Sequence, residues 1–229
     1  MTARVLRDDL AGRAEAIHAL RQGLLVGLPT DTVYGLAVAL DAPDAIERLF
    51  AAKGRPPDKA IVLLVADIGQ AERKGLFGPA ARALASAAWP GALTLVVPRR
   101  PEVRLPEILT AGGSTIGLRL PGHGTPRALA RALGPLPVTS ANRSGEPDLT
   151  NAPGLEIEFG GVLEVILDGG PAPGGTPSTV VRCDGWDTEV LRVGAIPPEQ
   201  IKEIVKAARK GHPIEAPAPP APPDEWDGG

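Results

Sequence analysis

The chain has 229 residues, of which 43% are hydrophobic and 22% charged, with a formal net charge of −3. This composition is typical of a globular protein, and the longest apolar run, residues 60–66, is too short to span a bilayer. Few aromatic residues and a slightly acidic charge argue against a dedicated nucleic-acid-binding protein. The single cysteine, Cys183, excludes an internal disulfide. The N-terminus lacks signal-peptide features, so a cytoplasmic location is expected.

Helix and strand signals alternate along the chain, which predicts a layered α/β domain with a mixed sheet. Capping or proline signals mark the start of five predicted helices, near Asp8, Pro43, Pro79, Thr125 and Pro197. The predicted strands are apolar, β-branched segments: LLVGL, IVLLV, ALTLVV, STIGLRL, PLPVT, GVLEVIL, STVVRC and EVLRV. Residues 212–229 hold six prolines and no apolar periodicity, which predicts a disordered tail.

The standard catalytic signatures do not fit. The segment GGPAPGGT, residues 169–176, resembles a phosphate-binding loop, but Gly175 stands where the lysine is required. The histidines His18, His123 and His212 lack metal-ligand spacing. A covalent nucleophile or a zinc site is therefore not expected, and any chemistry would depend on positioning and electrostatics.

The stretch from Val26 to Leu40, VGLPTDTVYGLAVAL, places polar side chains after a buried strand. Side chains alternate in an extended segment, so Thr30, Thr32 and Tyr34 would present three hydroxyls on one face. The alternative is a polar turn in which the threonine hydroxyls bond to nearby backbone groups.

Three positively charged residues follow the second predicted helix, and a fourth lies near the end of a later strand. Lys53, Arg55 and Lys59 fit an anion clamp, because arginine binds phosphate oxygens bidentately and lysine adds a point charge. Alternatively, Lys53 complements the helix C-terminus and the others lie in a solvated loop. Arg119 shares a strand face with Gly117; it would hold a carboxylate or phosphate if that face lines a cleft, and would otherwise be exposed to solvent.

Polar residues also stand at the ends of further predicted strands. Ser140 and Asn142 follow the strand PLPVT, where an ordinary loop explains them, although loops at strand ends in α/β proteins commonly bind ligands. Ser178 and Arg192 occupy similar positions in GGTPSTVV and EVLRVG.

Seven segments, in this order, resemble the YrdC-like family of threonylcarbamoyl-AMP synthases: PTDTVYGL, KGRP, WPGALTLVV, GLRLPGH, TSANRSGEP, PSTVV and LRVG. The resemblance implies an open, twisted mixed α/β sheet with flanking helices and a large concave groove, and makes residues 1–211 one YrdC-like catalytic domain. The family's reaction converts L-threonine, bicarbonate or CO2, and ATP with Mg²⁺ into threonylcarbamoyl-adenylate and pyrophosphate. Separate downstream partner proteins use this product to modify adenosine 37 of tRNA.

The resemblance also implies roles for the matching residues. The ATP-binding residues are expected to be Lys53, Arg55, Lys59, Ser140, Asn142 and Arg192. The threonine-binding residues are expected to be Thr30, Thr32, Arg119 and Ser178. Arg119 would face the amino-acid carboxylate, and Tyr34 would pack below the pocket. No catalytic nucleophile and no protein metal ligand is implied, since the carbamate oxygen attacks the α-phosphate directly.

Departures from the family pattern leave alternatives open. Members often carry a histidine on the strand after the KGRP segment, where IVLLV has none, and Ala60 replaces a proline. A related enzyme of the same fold that acts on another carbamoyl or amino-acid substrate is therefore one alternative. Another is a non-catalytic module that binds tRNA or double-stranded RNA in the groove, against which the net charge of −3 counts.

Weak RNA binding beside the enzymatic activity is also expected, with no membrane partner. Residues 212–229 are too few for the extra C-terminal domain of longer members, so a short form is expected.

Overall fold

A computed structural model describes residues 2–211, which form one ten-stranded sheet with eight helices. The strands are β1 (Arg4–Arg7), β2 (Val26–Leu28), β3 (Gly35–Ala37), β4 (Val62–Leu64), β5 (Leu93–Pro98), β6 (Thr115–Arg119), β7 (Leu136–Ser140), β8 (Val165–Asp168), β9 (Thr179–Asp184) and β10 (Asp187–Arg192). The helices are α1 (Leu10–Arg21), α2 (Ala45–Lys53), α3 (Ile68–Glu72), α4 (Pro79–Ala88), α5 (Glu107–Thr110), α6 (Gly124–Leu133), α7 (Ala152–Phe159) and α8 (Pro198–Arg209). The predicted tail lies outside the described residues. No helix within residues 2–211 is both long and apolar enough to cross a membrane.

The strands follow the spatial order β1-β8-β2-β3-β7-β4-β6-β5-β9-β10. β1 and β2 pair with β8 in parallel, as do β4 with β6 and β5 with β9, while the remaining neighbours are antiparallel. The predicted open, mixed α/β sheet is therefore confirmed. This order places β7 beside β3 and β4, and β9 beside β5, although long stretches of chain separate these neighbours.

Helices cover both faces of the sheet. The buried side chains form two clusters, and adjacent strand residues such as Leu63 and Leu64 belong to different ones. Because successive side chains of a strand point to opposite faces, the two clusters lie on opposite sides of the sheet. One cluster contains residues of α2, α4, α7 and α8, and the other contains residues of α1 and α6.

Local signals placed most ends of the five predicted helices correctly, whereas α3, α5 and α7 were not predicted. The Asp9 carboxylate caps α1 by accepting from the backbone N–H of Gly12, and Gly54 ends α2 in the left-handed conformation, with a φ of 61°. The predicted threonine cap of α6 is wrong: His123 is the N-cap residue, and its Nδ1 accepts from the backbone N–H of Thr125. The Thr125 hydroxyl instead donates to the Asp8 carboxylate.

Candidate functional site

A cavity of about 120 Å³ opens on the face of the sheet that α1 and α6 partly cover. Its wall combines apolar side chains such as Val62, Leu64 and Val138 with hydroxyls and guanidinium groups. Seven of the ten predicted site residues line it: Thr30, Thr32, Arg55, Arg119, Ser140, Ser178 and Arg192. Cavities that enclose drug-sized ligands are typically about 300–1,000 Å³. This enclosed volume therefore suits an amino acid better than a whole nucleotide.

The segment between β2 and β3 is a polar turn that also forms one wall of the cavity. Thr30 Oγ1 donates to the carbonyl oxygen of Val33 at 2.6 Å and accepts from the backbone N–H of Thr32 at 3.1 Å. The Thr30 and Thr32 hydroxyl oxygens lie 3.0 Å apart. Both threonines are nearly fully buried, with 4% and 2% exposure. The interpretation as a polar turn is thus correct, and within that turn the two threonine hydroxyls still meet at the cavity wall.

Tyr34 does not bring its hydroxyl to the two threonines, so the predicted set of three converging hydroxyls is wrong. Residues 31–33 form a bend rather than an extended strand, and this changes the direction of the tyrosine. Its hydroxyl donates to the carbonyl of Gly170 at 2.7 Å and accepts from the N–H of Gly169 at 3.2 Å. Tyr34 is fully buried in the core and also contributes to the cavity lining.

Arg119 is buried, so the alternative that its side chain is exposed to solvent is wrong. Its Nε donates to the carbonyl of Gly91 at 3.0 Å, and its Nη1 donates to Thr32 Oγ1 at 3.0 Å. The Asp31 carboxylate lies 2.8 Å from Nη2, although these two atoms do not have hydrogen-bond geometry. Two separate segments, the one at Gly91 and the one at residues 31–32, therefore hold the guanidinium in place at the cavity wall.

Lys53 lies behind the cavity and ties helix α2 to the segment after β7. Its ammonium is within 2.7 Å of both the Ser140 carbonyl oxygen and Asn142 Oδ1, and within 2.9 Å of Thr139 Oγ1. Burial, followed by the charge of Arg55, lowers the pKa of Lys53 to about 8. The predicted residues Lys53, Ser140 and Asn142 thus form one connected group.

Two further predicted cations differ in their placement. Arg55 lines the cavity and donates to the carbonyl oxygens of Lys59 at 2.9 Å and Ala60 at 2.7 Å. Lys59 supplies only its backbone here, because its side chain is exposed and lies outside the cavity wall. Arg192 donates to the Ser178 carbonyl at 2.8 Å. Burial, followed by the like charge of Arg192, lowers the pKa of Arg55, and an anion between these cations would relieve their repulsion.

Two residues of the site were missed in the sequence. Thr94, on β5, is 1% exposed and lines the cavity, with its hydroxyl 2.9 Å from Ser178 Oγ. The available signal was a single polar residue within the apolar run ALTLVV. Asp31, the ion-pair partner of Arg119, lies in the quoted stretch PTDTVYGL, but nothing in its local pattern indicated that partner.

Comparison with known proteins identifies the family. Residues 18–194 match the Sua5/YciO/YrdC family model, which is described as "Telomere recombination". The chain belongs to this family. It is 40% identical over 196 residues to the threonylcarbamoyl-AMP synthase of Bacillus subtilis, in a match that covers 84% of this chain and 56% of the relative. It is 37% identical over 195 residues to a putative threonylcarbamoyl-AMP synthase of Mycobacterium tuberculosis, covering 85% of this chain and 89% of the relative.

A solved member of the Sua5/YciO/YrdC family has the same fold. The crystal structure of Pyrococcus abyssi Sua5 complexed with L-threonine superposes with a TM-score of 0.81 at 33% identity, covering 94% of this chain and 65% of that one. The resemblance drawn from the seven segments is therefore confirmed at the level of family and fold. The chain nevertheless spans only 56% of the length of the Bacillus relative. The ligand-binding roles of individual residues remain predictions.

Proposed function

We propose that this protein is a threonylcarbamoyl-AMP synthase, which forms threonylcarbamoyl-adenylate and pyrophosphate from L-threonine, bicarbonate or CO2, and ATP. The observation that carries the proposal is the pairing of a small hydroxyl-lined cavity with three arginines in its wall, Arg55, Arg119 and Arg192. Relatives named threonylcarbamoyl-AMP synthase and a neighbour complexed with L-threonine support it.

In this proposal, threonine occupies the enclosed cavity. Its carboxylate faces the buried Arg119 guanidinium, and its polar groups contact the hydroxyls of Thr32 and Ser178. The amine captures CO2 as a carbamate, whose oxygen then attacks the α-phosphate of ATP and releases pyrophosphate. Arg55 and Arg192 would hold the phosphates and balance the charge that develops at phosphorus. The protein accelerates the reaction by holding the two anionic substrates together rather than by forming a covalent intermediate.

Mg²⁺ would enter with ATP as part of the substrate, bound to the phosphate oxygens. Within residues 2–211 no three His, Cys, Asp or Glu side chains are grouped so that they could hold an ion. The phosphates and water would therefore supply most of the ligands of this ion. The cytoplasmic location, the downstream tRNA-modification proteins and weak tRNA binding also belong to the proposal.

The direct test is pyrophosphate release from ATP and Mg²⁺, with bicarbonate and threonine omitted in turn and serine substituted for threonine. The proposal requires release that depends on both bicarbonate and threonine, with serine a poor substitute. Arg55→Ala should lose this activity through weaker ATP binding while remaining folded. Release with a different amino acid would indicate a related enzyme of the same fold. Salt-dependent binding of double-stranded RNA without any release would favour the RNA-binding module.

A further inference from the structure

The two threonine hydroxyls at one end of the cavity have no hydrogen left to donate. Thr30 Oγ1 donates its hydrogen to the carbonyl of Val33 at 2.6 Å, so the contact of 3.0 Å with Thr32 must be a donation from Thr32. The Thr32 oxygen in turn accepts from Arg119 Nη1 at 3.0 Å. A hydroxyl has one hydrogen and two lone pairs. Thr32 therefore offers a ligand only an acceptor, its remaining lone pair.

A second pair of hydroxyls in the cavity, those of Thr94 and Ser178, can donate a hydrogen to a ligand. Ser178 Oγ accepts from Arg192 Nη2 at 3.2 Å and lies 2.9 Å from Thr94 Oγ1. The Thr94–Ser178 contact uses one of the two hydroxyl hydrogens, whichever residue donates. Within residues 2–211 neither hydroxyl donates to any other protein acceptor. One hydrogen of this pair is thus available to a ligand.

Thr94 also lies beside the arginine that is expected to bind the carboxylate. β5 and β6 are antiparallel, with Leu95 opposite Leu118, and the same register places Thr94 opposite Arg119. Side chains at directly opposed positions of an antiparallel pair have Cβ atoms about 4.5–5.5 Å apart. Both side chains line the cavity. The two oxygens of one carboxylate could therefore contact the guanidinium and the hydroxyl pair together.

We propose that Thr94 is a further substrate-binding residue, which accepts from Ser178 Oγ and donates its own hydroxyl hydrogen to the carboxylate of the bound amino acid beside Arg119. Thr32, which can only accept, then takes a hydrogen from the amino group or the side-chain hydroxyl of that ligand. The inference rests on the proposed function, since it places threonine in the cavity. It adds a donor and an orientation that the seven family segments did not indicate.

The test is direct binding of L-threonine and of L-2-aminobutyrate, which lacks the side-chain hydroxyl, measured by calorimetry on the full chain. Thr94→Val removes the hydroxyl with little change in shape and should weaken both ligands about 10-fold, the usual range for a hydrogen bond to a charged group. The ratio of the two affinities should stay at its wild-type value. Thr94→Ser, which keeps the hydroxyl, should restore affinity to within about twofold of wild type.

Thr125→Val is the matched control, because it removes a buried threonine hydroxyl whose partner, Asp8, lies outside the cavity wall. ATP affinity should not change in Thr94→Val, since Arg192 keeps its bonds to the Ser178 carbonyl at 2.8 and 3.2 Å. If Thr94→Val does not fold, Thr94→Ala removes the same hydroxyl with a smaller side chain and carries the same expectation.

Three results would overturn this inference. Unchanged affinity for both ligands in Thr94→Val would show that the hydroxyl makes no such bond. Loss for L-threonine alone would mean that Thr94 binds the side-chain hydroxyl rather than the carboxylate. An equal loss of ATP affinity would show a general disturbance of the cavity. A wild-type protein that binds neither amino acid would instead contradict the proposed function, so the two failures are distinguishable.

Discussion

Replacing Arg119 by methionine tests how much its buried ion pair with Asp31 contributes to stability and to the binding of threonine. Methionine keeps an unbranched apolar side chain but removes the guanidinium and its contacts with Gly91, Thr32 and Asp31. The two side chains of the ion pair are only 7% and 18% exposed. The carboxylate left behind would therefore have little access to water and no partner cation. We expect a large loss of stability together with loss of threonine binding.

The size of the loss follows from the burial of the pair. Removing one partner of a buried ion pair costs about 3–5 kcal/mol, because the remaining charge is uncompensated. The partial exposure of Asp31 favours the lower end, about 3 kcal/mol. The double variant Asp31→Asn/Arg119→Met has no unpaired charge and should lose only about 1–2 kcal/mol. An exposed pair provides the control: Arg182 and Glu189 are 52% and 58% exposed, so Arg182→Met should cost less than about 1 kcal/mol.

The assay is urea unfolding at neutral pH of the wild type, the two single variants, the double variant and the control, with threonine affinity measured in parallel. A positive coupling energy of about 2 kcal/mol between Asp31 and Arg119 would support the reasoning. A cost for Arg119→Met no larger than that of the exposed control would refute it. Unchanged threonine affinity in a folded Arg119→Met protein would remove Arg119 from the proposed site.

Three further predictions concern neighbouring parts of the site. Burial lowers the pKa of Lys53 to about 8. Its positive charge is therefore lost as the pH rises through that value, and ATP affinity should decline between about pH 7 and pH 9 in the wild type but not in Lys53→Met. Gly194→Ala would place a Cβ 2.3 Å from a backbone carbonyl oxygen and should lower the free energy of unfolding in urea by about 1–3 kcal/mol. The control Gly161→Ala should be nearly neutral, because its Cβ would have no atom within 4 Å. Tyr34→Phe should cost about 1 kcal/mol and speed hydrogen exchange at the Gly169 amide, which donates to the tyrosine hydroxyl; an unchanged exchange rate would contradict this role.

The sequence predicted several features that local chemistry determines, although it did not reveal α3 and α7, which begin at the side-chain caps Asp67 and Asn151. Asp9 caps α1 and Gly54 ends α2 because capping and the left-handed conformation depend on a few adjacent residues. The apolar, β-branched segments predicted most of the strands, and their alternation with helices predicted the α/β class. β1 and β3 were missed, as were the helices α3, α5 and α7. β1 is mostly exposed and so has no apolar run, and β3 takes up only three residues of the aliphatic stretch GLAVAL after the bend at residues 31–33.

The contacts that build the candidate site depend instead on the order of strands in the sheet. Thr94 and Ser178 are 84 residues apart in the chain, and their hydroxyls meet because β5 pairs with β9. The same kind of long-range pairing places the Lys53 ammonium among oxygens 86 to 89 residues further along the chain. Local propensity carries no information about such neighbours, because strand order results from how the whole sheet buries its two faces. The polar residue types at the strand ends are therefore visible in the sequence, whereas their partners, their burial and the direction of their hydrogen bonds arise only from the folded sheet.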